Sequence, residues 1–108
     1  MDNSKITTQM RKGILEYAIL AIIQKGEAYS TDILRILKEN NLLVVEGTLY
    51  PLLSRLKTDG LITYFWAESQ NGPPRKYYRL TVNGEKTLTV MQLAWQDLAQ
   101  AIQKITNS

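Results

Sequence analysis

The sequence predicts a mainly α chain carrying one β-hairpin (α+β), on three observations. Apolar residues recur at helical spacing in four segments. Aromatic and β-branched residues gather in one stretch, Ile62-Thr63-Tyr64-Phe65-Trp66. Turn residues from Ser69 to Pro74 then separate that stretch from a second, alternating one. With 108 residues there is room for a single core. The composition is that of an ordinary globular chain, 44% apolar and 21% charged, with a net charge of +3. Neither His nor Cys occurs. This removes the usual zinc ligands, a thiol nucleophile, disulfides and an imidazole base, so a binding protein without cofactor is expected rather than an enzyme. No stretch has the roughly 18 consecutive apolar residues of a membrane span. Met1-Asp2-Asn3-Ser4-Lys5 lacks the basic and apolar regions of a leader, and a cytoplasmic location is expected.

The first periodic segment runs from about Thr8 to Lys25, and its centre, Ile14 to Ile23, is apolar nearly all round. Such a helix needs cover on more than one side, part of it from a second chain. Gly26 follows as a stop. Ser30-Thr31-Asp32 offer caps for a second helix to about Glu39, with Ile33, Leu34 and Leu37 inward and Asn40-Asn41 at its end. Leu49, Leu52, Leu53 and Leu56 mark a third helix, closed by Gly60. Val45 and Glu46 are poor caps, and Thr48 as N-cap places Pro51 at the third helical position, where no intrahelical N–H bond is lost. Leu61–Glu68 and Arg75–Leu80 read as two strands around a six-residue turn, with Lys76, Tyr78 and Leu80 on one face and Arg75, Tyr77 and Arg79 on the other. Thr81 caps a last helix to about Ile105. Three helices, a hairpin and a helix make the winged helix-turn-helix plan plus a C-terminal dimerisation helix, divided as 1–80 and 81–108. A lone hairpin is marginal in water and must pack on the helices.

Three constellations carry chemistry. The outer face of the third helix holds Thr48, Tyr50, Ser54, Arg55, Lys57 and Thr58, with Asp59 its only acid. Such a face can reach base edges and phosphates, and it can equally be a solvated face. From Asn71 to Asn83 there are three cations, Arg75, Lys76 and Arg79, and no acid, with Tyr77 and Tyr78 interleaved. That pattern suits a phosphate backbone; its bland alternative is a charge-guarded strand edge. Together the two favour DNA, on local rather than net charge. In the last helix Leu88, Met91, Trp95, Leu98, Ile102 and Ile105 are spaced 3, 4, 3, 4 and 3 residues apart, a heptad seam that calls for a second copy or for the first helix. Trp95 is a core filler or a flat wall for an aromatic or cationic ligand beside flexible Met91.

Gly47-Thr48-Leu49-Tyr50-Pro51-Leu52-Leu53-Ser54-Arg55-Leu56-Lys57 resembles the third-helix signature of PadR-type transcriptional regulators. Gly60-Leu61-Ile62 and Arg75 to Gly84 are similar to that family's second strand, wing and final-helix start. The single short C-terminal helix resembles the family's small branch, which includes multidrug-binding repressors. The resemblance implies that Pro51 is tolerated near the start of the recognition helix, and that Trp95 lines a pore at the dimer interface. Glu16, if turned toward such a pore, would favour cationic ligands.

The expected function is a homodimeric repressor of an inverted-repeat operator in double-stranded DNA. Thr48, Tyr50, Pro51, Ser54 and Arg55 would meet the major groove, while Lys57, Arg75, Lys76 and Tyr77 hold the backbone. Leu88, Met91, Gln92, Trp95 and Leu98 would bind a small aromatic ligand. The alternative is a winged-helix protein-interaction module, and a metal sensor is disfavoured by the missing His and Cys.

Overall fold

A computed structural model describes residues 3–26 and 28–108; Met1 and Asp2, part of the stretch read for a leader, lie outside the described residues. The order is α1 (Asn3–Arg11), α2 (Ile14–Gln24), α3 (Ser30–Glu39), α4 (Glu46–Thr58), β1 (Ile62–Ser69), β2 (Gly72–Leu80) and α5 (Val82–Thr106). A mainly helical chain with one antiparallel hairpin and a long final helix is what the periodicity predicts. Ile19, Leu20 and Ile23 of α2, Ile33 and Leu37 of α3, Leu49, Leu53 and Leu56 of α4, Ile62 of β1 and Leu88 of α5 form one core. α2 lies at its centre, touching α3, β2 and α5.

Four boundaries differ from the pattern-based expectation. The helix expected over Thr8–Lys25 is two helices, because Gly13 takes φ +82, a left-handed conformation that ends α1 and turns the chain into α2. α3 is not capped by a Ser30, Thr31 or Asp32 side chain in the usual way. Tyr29 is its N-cap, and Asp32 reaches back to accept from the Tyr29 N–H (3.1 Å). α4 starts at Glu46 with Val45 as N-cap, so Thr48 is already inside the helix and Pro51 lies past the first turn. Val45 makes no side-chain cap; its carbonyl accepts from both Thr48 and Leu49 N–H at 3.0 Å. Packing of Leu49, Leu53 and Leu56 holds a helix start that local chemistry would not choose. Finally, the hairpin loop is Gln70-Asn71 alone: Ser69 pairs with Gly72, and Pro73-Pro74 oppose Glu68 in a bulge. Proline is tolerated there because a bulge and an edge need no donor.

The ends of α3 and α4 are set by left-handed residues. Asn41 (φ 63) follows α3, where the Leu42 N–H reaches Leu37 O (2.8 Å) and the Asn41 N–H reaches Lys38 O (3.1 Å). Gly60 (φ 75) repeats the arrangement after α4, with Leu61 N–H to Leu56 O (3.0 Å) and Gly60 N–H to Lys57 O (2.9 Å). This turn delivers Leu61 to the hairpin. Thr81 then closes the far end: its N–H donates to Leu61 O (3.0 Å), its hydroxyl to Gly60 O (2.6 Å), and its Oγ1 accepts from the Gly84 N–H (3.0 Å). The wing is fastened on its outer edge as well. Ala28 and Tyr78 exchange backbone hydrogen bonds (2.9 and 3.4 Å), a one-residue third strand from the α2–α3 connection.

Candidate nucleic-acid interface

Leu49, Leu53 and Leu56 face the core, so Gly47, Pro51, Ser54 and Thr58 stand on the opposite side of α4, all exposed. The centre of that face is therefore small and low, and its flanks carry the reach. On one flank Tyr50 and Ser54 share a cleft of about 480 Å³ with Tyr29, Trp66, Arg75 and Lys76, against the wing. On the other, Thr48 and Arg55 border a second cleft toward α1 and α2. The residues expected as a single reading face are thus two flanks of one exposed helix.

The wing side is built from cations laid on rings. Lys76 lies 4.3 Å from the Tyr64 ring centre and 5.5 Å from that of Trp66, its cross-strand partner, and Lys57 of α4 lies 4.8 Å from the same Tyr64. At exposed sites each such contact is worth about 0.5–1 kcal/mol. One phenol ring thereby gathers two ammonium groups at the junction of α4 and the wing. The opposite face of the hairpin is a continuous stack. Arg79 covers Phe65 (5.3 Å), Phe65 stacks on Tyr77 (5.5 Å), Tyr77 on Tyr29 (3.8 Å), and Arg75 covers Tyr29 (5.2 Å). Tyr77 thus locks the wing to the start of α3, on the hairpin face away from Lys76. Ser30 Oγ and Tyr50 OH, 3.3 Å apart, join α3 to α4 within the same cleft. Tyr78 is core: burial first, then Tyr50 and Tyr64 nearby, raise its phenol above the ordinary tyrosine pKa.

Glu16 does not stand free on α2. Its Oε1 is 3.4 Å from Arg55 Nη1, and its side chain is 20% exposed while that of Arg55 is 67% exposed. A mostly buried carboxylate thus pairs with one terminal nitrogen of an arginine whose side chain is largely exposed.

The residues expected to hold a ligand do not share one environment in the single chain. Leu88 is buried and Met91 packs on the core against α2. Gln92, Trp95 (46% exposed) and Leu98 (63% exposed) stand further along α5, beyond that contact. Sequence reasoning missed Trp66 (61% exposed), Tyr29 and Ser30, which line the wing cleft. Trp66 had a signal, its place among strand aromatics; Tyr29 and Ser30 had none, since only the fold brings α3 beside the wing.

A helix-turn-helix of α3 and α4 with α4 exposed and a cation-bearing hairpin beside it is the architecture of a winged-helix regulator. The chain belongs to the Transcriptional regulator PadR-like family, whose family model matches residues 19–90. A solved PadR-like transcription factor from Bacteroides fragilis is 51% identical, covering 94% of this chain and 98% of its own, at TM-score 0.78. A PadR-like transcriptional regulator from Bacillus cereus is 34% identical over 93% of this chain and 98% of its own, at TM-score 0.83. A transcriptional regulator of Mycobacterium tuberculosis is 29% identical over 87% of both chains. These relatives are regulators of transcription, a DNA-binding role, rather than enzymes. Among the described residues no helix is long and apolar enough to cross a membrane.

Proposed function

We propose that the chain is a cytoplasmic homodimeric repressor of an inverted-repeat operator, with residues 1–80 binding DNA and 81–108 forming the dimer. The observation that carries the reading is the profile of α4: a small exposed centre, Gly47, Pro51 and Ser54, between a wing flank with Lys57, Arg75 and Lys76 and a second flank with Thr48 and Arg55. A low centre lets the helix backbone approach the floor of a major groove, while Tyr50, Ser54 and Arg55 supply hydrogen bonds to base edges and the lysines take phosphates. Arg55 carries enough donors to keep Glu16 and still meet a guanine edge.

Dimerisation is supported by α5. Beyond Met91 its seam is uncovered, with Trp95, Leu98, Ile102 and Ile105 exposed by 46%, 63%, 60% and 70%. A compact chain of 12.3 kDa would expose about 6,100 Å². This one exposes 7855 Å² and stretches over 56 Å, the excess that an unpaired dimer helix leaves. Two copies would set their α4 helices about one DNA turn, ~34 Å, apart. A hydrophobic aromatic or cationic ligand against Trp95 would lie where two α5 helices meet, and by altering their angle would weaken operator binding by typically about 1–3 kcal/mol.

The experiment is selection of genomic DNA fragments by the purified protein, followed by gel shift at two salt concentrations. Selective, salt-dependent retardation is expected. Unchanged binding by Arg55→Ala with Lys76→Ala would refute the contact assignment. Dye quenching that persists in Trp95→Ala would refute the ligand site.

A further inference from the structure

On the flank of α4 turned away from the wing, α1 and α4 enclose a cleft of about 640 Å³, bordered by Thr8, Arg11, Lys12, Glu16, Thr48 and Arg55. Three of these are cations and one is an acid, and that acid, Glu16, is already engaged by Arg55 at 3.4 Å. The positive charge continues along α1. From Asn3 to Lys12 there are three cations, Lys5, Arg11 and Lys12, and no Asp or Glu. Lys5, Thr8, Gln9 and Lys12 share one face at helical spacing, and Thr8 and Lys12 belong both to that face and to the cleft. The cationic stripe therefore runs into the groove beside the recognition helix.

The turn at Gly13 and one hydrogen bond fix this arrangement. Gly13 at φ +82 folds α1 back beside α4 rather than letting it extend α2. Arg11 Nη2 donates to the Leu43 carbonyl at 2.9 Å, tying the end of α1 to the α3–α4 connection. Arg75 and Lys76 lie on the other flank of α4, with the wing.

We infer that α1 is a second DNA-backbone clamp, in which Lys5 and Lys12 hold phosphates on the side of α4 opposite the wing. This rests on the DNA-binding reading above. A partner with regularly spaced negative charge on both sides of an inserted helix is a duplex; phosphate oxygens also accept from hydroxyls such as those of Thr8 and Thr48.

The test compares wild type, Lys5→Ala with Lys12→Ala, and a charge-matched control, Lys86→Ala with Lys104→Ala, whose sites are exposed on α5. Binding of a fragment selected by the wild type is measured across a salt series, with hydroxyl-radical footprints of each complex. Each phosphate contact contributes about 0.9 to the salt slope. The α1 pair should therefore lose nearly two units of slope per half-site, about 3.6 for the bound dimer, and the protection at one edge of each half-site, and the α5 pair neither. Equal losses in both pairs, or wild-type behaviour of the α1 pair on DNA that the wild type binds, would overturn the clamp. Failure of the wild type to select any fragment would instead overturn the DNA-binding reading itself.

Discussion

Replacing Gly84 by Ala sets helix propensity against tertiary fit. Gly84 is buried in the first turn of α5, and its N–H donates to Thr81 Oγ1 (3.0 Å) while the neighbouring Leu61 carbonyl accepts from the Thr81 N–H (3.0 Å). A Cβ at this position would lie 2.9 Å from the Leu61 carbonyl carbon and closer still to its oxygen. Both are backbone atoms that no rotamer change moves aside. Ordinary contact needs about 3.5 Å, so the turn joining hairpin and helix must open by roughly an ångström. Such overpacking typically costs about 1–3 kcal/mol, and weakening the two hydrogen bonds adds about 1 kcal/mol each. Ala returns about 1 kcal/mol of helix propensity. The net expectation is a loss of about 2–4 kcal/mol. Gly47 is the control: it is helical and exposed, and an added Cβ meets nothing within 4 Å. Gly47→Ala should stabilise by up to about 1 kcal/mol. Urea unfolding at one fixed protein concentration reads both, so that any self-association enters the comparison equally. A Gly84→Ala protein as stable as the parent would refute the reasoning.

The remaining expectations follow from single contacts. Tyr77→Ala removes the ring between Tyr29 and Phe65 and should cost about 1–3 kcal/mol in thermal unfolding, while Tyr77→Phe keeps both stacks and most of the stability. Leu98→Asp with Ile102→Asp puts charge on the exposed seam of α5 and should give a folded monomer, checked by sedimentation with far-UV circular dichroism; an intact dimer would disprove the seam. At Asn41, which sits at φ 63, a Val side chain should cost about 1–2 kcal/mol whereas Gly should not, as read by urea midpoints. Tyr78 has a folded pKa raised above 10.0, so its contribution is fully present below the unfolded value and is lost as pH rises from about 10 through the folded pKa. Tyr78→Phe should accordingly flatten the alkaline loss of stability, measured by unfolding between neutral and alkaline pH.

Much of the architecture was legible because each piece carried its own local cause. The α4 stripe of leucines, the Gly60 stop, the strand aromatics and the Thr81 cap are all short-range signals, and each corresponds to an observed feature. The failures have a common reason. Gly13 sits where a lone glycine is compatible with one long helix, and residue spacing does not report the left-handed φ of +82 that makes it a break. Thr48 is the better cap by chemistry, yet burial of the leucine face starts α4 at Glu46. Pro73-Pro74 read as loop until cross-strand pairing puts them in a bulge.

The interface divides in the same way. The amino-acid order by itself determined which residues carry charge and hydrogen-bonding groups, that these gather in α4 and the wing, and that α5 carries an apolar seam at heptad spacing. These are periodicities, and periodicity is local. Tertiary structure alone decided that Thr48 and Arg55 belong to a different flank from Tyr50 and Ser54. It alone set Lys57 and Lys76 on one tyrosine ring, Tyr77 in a structural stack and Glu16 on Arg55. Those pairs join residues of different elements, Glu16 and Arg55 being nearly forty positions apart. Their meeting is fixed by how amphipathic faces pack into one core, which no local spacing encodes.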